Sequence, residues 1–268
     1  MREAIDARGR RQRGARALGF AARSLALTSA WIALAASCAH ATSTSVVDIP
    51  TRDATQRFLY VRPDAPVANI VYLPGTNGIL GITNDGTMPT RAGHCGPFVR
   101  NRAALAARGF ALALVDQTSD QRIRQFDDIR SVVAYLRRRD DVPIWIAGGS
   151  ASSTAALDVA VRSPRDERIG LMIFSPYEPD TALAAQVRRP TLVVYNRDDH
   201  PAAPFVRALV DALAESPMTE SIVLAGGIDP AECGGGHHLF TGIDAEFVDA
   251  VSGFIERHNG FERPPGRP

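Results

Sequence analysis

The sequence has no excess of charge of either sign: 30 Lys and Arg stand against 29 Asp and Glu, for a formal net charge of +1 over 268 residues. Nucleic acid is bound through an excess of cations, so a nucleic-acid partner is excluded. No uncharged apolar run reaches the ~20 residues that span a bilayer as a helix, and no integral membrane span is expected in the mature chain. Cysteine is scarce, three residues in all, with no C-x-x-C or H-x-x-x-H spacing, which leaves no metal site. A full G-x-G-x-x-G fingerprint and a Walker lysine are also missing, and with them a nucleotide cofactor. Internal repeats are absent. With 45% hydrophobic residues, the chain is long enough for one sizeable core, and a single globular domain without cofactor is the expectation.

The amino terminus stands apart. Residues 1–23 are rich in arginine and poor in acids, and the uncharged apolar run Ser24 to Ala36 follows, the order of a secretory signal. Ala39-His40-Ala41 offers a cleavage site, so 1–41 is read as a signal or disordered segment, 42–258 as the domain and 259–268 as a flexible tail. An exported protein, periplasmic or secreted, is implied. Lipid attachment at Cys38 is the alternative, although Ala35 stands where that signal wants a bulky residue. After cleavage Cys95 and Cys233 remain in an oxidising compartment, either as one disulfide or as two buried thiols.

Along the rest of the chain, short apolar runs alternate with helical spacing. Gln56–Arg62 alternates sufficiently for an edge strand. Ala68–Leu73, Phe110–Val115, Ile144–Ala147, Gly170–Phe174 and Thr191–Tyr195 are read as strands of a parallel sheet, with ANIVYL and GLMIF buried in it, and Ser221–Leu224 as the last strand. Between them, Phe98–Arg108 closes on Gly109 as a helix cap, and Phe126–Arg139 carries Ile129, Val132, Val133 and Leu136 on one face. Further helices are expected at Ser153–Val161, Ala203–Ala214 and Ala245–Arg257. Residues 79–96 and 117–124 read as loops. The alternation predicts an α/β fold: a doubly wound, mostly parallel sheet with helices on both faces. Only about fifteen residues separate the strands that end at Phe174 and begin at Thr191, which leaves no room there for a sizeable lid domain.

The central stretch is Pro143–Thr154, PIWIAGGSASST, in which Ser150 falls between a strand and a helix. A serine exposed on a sharp strand-to-helix turn needs small neighbours, and the usual form is G-x-S-x-G. Here Ser152 replaces the last glycine. Asp198 and Asp199 follow the TLVVY strand, His237 and His238 follow the last strand, and Pro74-Gly75-Thr76 follows the first buried one. All lie at carboxyl ends of strands, where an open parallel sheet places its working loops. Serine, acid and histidine come in that order along the chain.

With LPGTNG, IWIAGGSASST, PTLVVYNRDDHPAAP and GHHLFTG in this order, the sequence resembles the α/β-hydrolases, of the small lidless esterase or dienelactone-hydrolase type, over roughly residues 56–257. The resemblance implies a serine hydrolase that cleaves a small-molecule carboxylic ester through an acyl-enzyme. Ser150 is then the nucleophile, His238 its base and Asp199 the partner of the histidine, with His237 and Asp198 in reserve. The oxyanion would be met by the backbone N–H groups of Thr76 and Ala151, Asn77 lying one residue from that role. A peptidase or amidase with the same triad is the rival enzyme, and a catalytically silent binding protein of the same fold the rival from another class.

Taken singly, each feature has a plainer explanation. Ser150 can be the N-cap of a helix, the aspartate pair a solvated turn, and Asp116 either a substrate contact or the cap of a loop. His40, His200 and His258 are read as surface residues, and the arginines around 122–124, 137–139 and 188–189 as solvated faces.

Overall fold

The interior strands form because their side chains are apolar on both faces. In a computed structural model that describes residues 41–51, 54–117, 126–216, 218–228, 233 and 235–260, these runs become one eight-stranded sheet. In chain order the strands are β1 (Thr42–Thr51), β2 (Ala54–Pro63), β3 (Ala68–Leu73), β4 (Phe110–Val115), β5 (Ile144–Gly149), β6 (Ile169–Phe174), β7 (Thr191–Asn196) and β8 (Thr219–Leu224). Their order across the sheet is β1-β2-β4-β3-β5-β6-β7-β8. The β1–β2 and β2–β4 pairs are antiparallel, and β4 to β8 run parallel.

Successive residues on a strand point to opposite faces, and here both faces are covered. Ile70, Tyr72, Leu112, Trp145, Phe174 and Val194 feed one core. That face is closed by α2 (Pro97–Arg100), α3 (Arg102–Ala107) and α8 (Asp244–His258). Val71, Leu73, Ala113, Ile146, Leu171 and Val193 feed the other, closed by α4 (Phe126–Arg137), α5 (Ser153–Arg162) and α7 (Ala203–Ala212). Ile129, Val132, Val133 and Leu136 of α4 are all buried in this second core. The described residues also form two short helices, α1 (Arg91–Cys95) and α6 (Thr181–Ala184), the latter lying between β6 and β7 where no lid was expected. These elements fall within one compact unit, 39–268.

Four expectations are corrected. β2 is not an edge strand, because β1 pairs with it over its full length from Thr42↔Pro63 to Thr51↔Ala54. TSTSVVDIPT is largely exposed and lacks an apolar period, so its strand character comes from pairing rather than from pattern. The helix expected at 98–108 is broken at Asn101, whose side chain donates to the Pro97 carbonyl and to Asp244. Arg189 is buried rather than solvated: its guanidinium donates to the carbonyls of Ala160, Ser163, Pro164, Glu167 and Ile169, gathering the end of α5 against β6. His258 pairs with Glu220 at 2.7 Å and packs against Phe254, so it is more than a surface residue. Gly109 holds the left-handed conformation that a helix cap requires, φ 86°. The amino-terminal signal with Cys38 and His40, the loop at 118–124 with Arg122 and Arg124, and the tail from 261 lie outside the described residues.

Candidate active site

The site is assembled from loops at the carboxyl ends of β3, β5, β7 and β8. Parallel register brings the ends together: Leu73 lies opposite Gly148, Gly149 opposite Phe174, and Asn196 opposite Leu224. Five non-glycine residues of the described chain adopt positive φ: Thr76, Ser150, Ser175, Glu178 and Phe240. Each follows a strand of this sheet at its carboxyl end or sits beside His238. A left-handed non-glycine residue costs roughly 1–2 kcal/mol, so these turns are held by their surroundings rather than by local preference.

Ser150, at φ 49°, shows how the strain is held. Its carbonyl accepts from the Ser153 N–H, from the Ser153 hydroxyl at 2.6 Å and from the Tyr177 N–H at 3.4 Å. Small neighbours make room for the turn. A Cβ on Gly148 would lie 2.7 Å from both the Ala156 Cβ and the Ser152 carbonyl oxygen, and one on Gly75 would lie 2.7 Å from the Ser150 Cβ. Ser150 is not an N-cap: Gly149 precedes the 3-10 turn Ser150–Ser152, Ser152 precedes α5, and neither end is closed by a side-chain cap. Ser152, at the position of the missing glycine, is buried and donates its hydroxyl to the Pro74 carbonyl at 2.6 Å.

The structure separates the paired candidates. Asp199 is buried, and its Oδ2 lies 2.8 Å from His238 Nδ1. Burial pushes the Asp199 carboxyl up, but chiefly the hydrogen bond and charge of His238 outweigh it, and the group sits below the usual carboxylate range. Asp198 instead accepts from the Gly226 N–H at 3.3 Å, a turn contact. His237 Nδ1 faces the Gly226 carbonyl at 3.1 Å. Asp116 caps a loop: its carboxylate accepts from the N–H groups of Leu80, Gly81 and Ile82 at 2.6, 3.1 and 2.7 Å.

Ser150, His238, Thr76 and Asn77 line one cavity of about 430 Å³. Much of its wall is apolar, from Tyr72, Ile79, Pro97, Phe174, Leu239 and Phe240. Ala151 follows Ser150 on the exposed side of the turn. Among the described residues, no group of three or more His, Cys, Asp and Glu side chains converges as a metal site, and no helix is long and apolar enough to cross a membrane.

Two further constraints act on the histidine turn, Gly236–Leu239. Cys95, at the end of α1 and on the cavity wall, is bonded to Cys233, so the pair forms a disulfide. Arg100 reaches the other side of the turn. Its guanidinium donates to the Cys95 carbonyl, to those of Leu239 and Phe240 at 3.1 and 3.3 Å, and to Asp244 at 2.8 Å. No sequence pattern pointed to Arg100, because its partners lie up to 144 residues away.

No protein-family model and no curated protein matches the sequence. Solved structures do resemble it. A dienelactone hydrolase from Anabaena variabilis superposes with a TM-score of 0.61 at 16% identity, over 81% of this chain and 99% of the other. A Pyrococcus furiosus esterase gives 0.58 at 13% identity over 81% and 93%. One of two fungal esterases from Rhizomucor miehei gives 0.59 at 12% identity over 83% and 85%. Together with the strand order and the turn at Ser150, these likenesses establish that the chain has the α/β-hydrolase fold.

Proposed function

We propose that the protein is an exported serine hydrolase that cleaves small carboxylic esters through an acyl-enzyme on Ser150. One observation carries the reading: a strained serine at a strand-to-helix turn opens on the same cavity as a histidine bonded to a buried carboxylate. The esterases and the dienelactone hydrolase that share the fold are consistent with an ester substrate. The apolar cavity wall suits an ester with an apolar substituent.

Asp199 takes up His238 Nδ1 and so leaves Nε2 as the basic nitrogen. His238 removes the proton of the Ser150 hydroxyl as the oxygen attacks the ester carbonyl, and Asp199 stabilises the imidazolium that forms. The carbonyl π pair moves onto oxygen, and the N–H groups of Thr76 and Ala151 receive that charge. Collapse of the adduct breaks the bond to the alcohol, which leaves with the proton from His238. Water, deprotonated by His238, then attacks the acyl-serine, and the carboxylic acid is released with Ser150 restored.

Export is supported by the arginine-rich and then apolar amino terminus and by the Cys95–Cys233 disulfide, which persists in oxidising compartments. The test is a fluorophosphonate probe with p-nitrophenyl esters as substrates. Wild type should be labelled and turn over the esters, and Ser150→Ala should do neither. Folded wild-type protein that remains unlabelled, or turnover that survives in Ser150→Ala, overturns the reading.

A further inference from the structure

We infer that Ser152 is a positioning residue for the oxyanion-binding loop, an inference that rests on the acyl-enzyme reading above. Ser152 stands two residues past the nucleophile, where the usual elbow pattern has glycine. Its side chain is buried, and its hydroxyl donates to the Pro74 carbonyl at 2.6 Å, linking residues 78 apart in the chain.

Pro74 is followed by Gly75 and then by Thr76, whose N–H is the proposed donor to the oxyanion. Peptide units are planar, so only the φ and ψ of Gly75 separate the tethered carbonyl from the plane that carries the Thr76 N–H. Gly75 has to be glycine, because an added Cβ would lie 2.7 Å from the Ser150 Cβ and 3.0 Å from the Gly149 carbonyl oxygen. The residue that permits this close approach also gives the backbone its widest freedom. Two hydrogen bonds remove that freedom. Ser152 fixes the plane before Gly75, and the Gly78 N–H, donating to the Gly75 carbonyl at 2.9 Å, fixes the plane after it. Thr76 is thereby held at φ 58° on the wall of the cavity that Ser150 also lines. The departure from the glycine pattern is thus a tether, set where it can aim an N–H group at charge that exists only in the transition state.

The experiment compares Ser152→Ala and Ser152→Gly with Ser152→Thr, which keeps the hydroxyl. Steady-state hydrolysis of p-nitrophenyl butyrate is measured beside the affinity for phenylboronic acid, which forms a tetrahedral adduct with a nucleophilic serine. In Ser152→Ala and Ser152→Gly, kcat is expected to fall about tenfold, equivalent to about 1.4 kcal/mol, with KM within about twofold and boronate affinity falling in parallel with kcat. Ser152→Thr recovers most of the loss. Wild-type kcat and boronate affinity in Ser152→Ala and Ser152→Gly overturn the inference. So does a loss that Ser152→Thr shares in full, or one no larger than the fall in folded fraction by circular dichroism. Ser150→Ala separates the two readings: residual turnover there sinks the acyl-enzyme itself. Abolished turnover there, with wild-type kcat in Ser152→Ala, sinks only the role of Ser152.

Discussion

Asp199 Oδ2 and His238 Nδ1 lie 2.8 Å apart although 39 residues separate them in the chain. The carboxylate side chain is 3% exposed and the imidazole 27%, so the pair presents the histidine outward from a buried anchor. Asp199→Asn keeps the shape but loses the charge and the tautomer hold, and kcat should fall by roughly 10³–10⁴-fold. Asp198→Asn, which alters only a turn contact to Gly226, should stay within about threefold of wild type. The histidines should divide in the same way, His238→Ala abolishing turnover and His237→Ala largely sparing it. Equal losses within either pair, in steady-state ester hydrolysis, contradict the assignment.

The glycines at the turn should not be equivalent. Gly75→Ala places a Cβ 2.7 Å from that of Ser150, so the loop or the nucleophile must shift. A stability loss of about 1–3 kcal/mol with a sharp fall in kcat is expected. Gly149→Ala meets nothing nearer than 3.8 Å, at φ −104°, and should melt within a few degrees of wild type. Thermal melts and kcat of the two variants decide. Matching behaviour would show that contact with Ser150 is not what fixes Gly75.

Glu167 supplies a pH-dependent contribution to stability. Arg130 grips both its oxygens, at 2.5 and 2.7 Å, and Arg137 stands 3.6 Å away. The Arg130 hydrogen bonds pull its carboxyl below the usual range; burial opposes them, and the charges of Arg130, Arg137 and Arg189 add to them. Because the folded-state value is the lower one, the contribution is whole above the unfolded value of ~4.3 and is lost as pH falls through the folded value. Glu167→Gln should therefore lose about 1–2 kcal/mol at pH 7. The gap to wild type should narrow between pH 7 and a pH below the unfolded value of ~4.3, as followed by urea unfolding. A gap of the same size at both pH values excludes this linkage.

Arg100 and the disulfide should both act through the histidine turn. Arg100→Met releases the Leu239 and Phe240 carbonyls and leaves Asp244 without its cation, so a loss of about 2–4 kcal/mol is expected, with a fall in kcat. Arg100→Lys should recover little, because an ammonium cannot span the carbonyls and the carboxylate as a planar fork does. Reduction of wild type should cost about 2–5 kcal/mol. Denaturant unfolding with and without reductant measures both. Wild-type kcat in Arg100→Met would show that the turn does not depend on this clamp.

Much of the sheet was legible because β3 to β7 are apolar on both faces, and a continuous run such as ANIVYL has few other uses. That Asp199 would meet His238, and that Ser150 would open on the same cavity as His238, was legible because chain order and strand ends restrict where such residues can meet. β1 was not, because a polar edge strand takes its structure from its partner. Nor was α1, a five-residue helix capped by Thr90 inside what reads as a long loop. The roles of Asp116, Arg100 and Ser152 depend on contacts between distant segments, and no local spacing encodes them. Ser152 shows the limit best: the sequence marked it as a departure from a pattern, and only the bond to Pro74 gives that departure a use.

The Cys95–Cys233 bond closes a covalent ring with a sequence separation of 138 residues, and both Ser150 and Asp199 lie within it. His238 follows five residues beyond the ring's closure. A protease that cuts the backbone once anywhere between the two cysteines therefore releases no fragment. The serine, the aspartate and the histidine stay on one molecule until a reductant reaches it. Nicking of the backbone and separation of these three residues thereby become separate events.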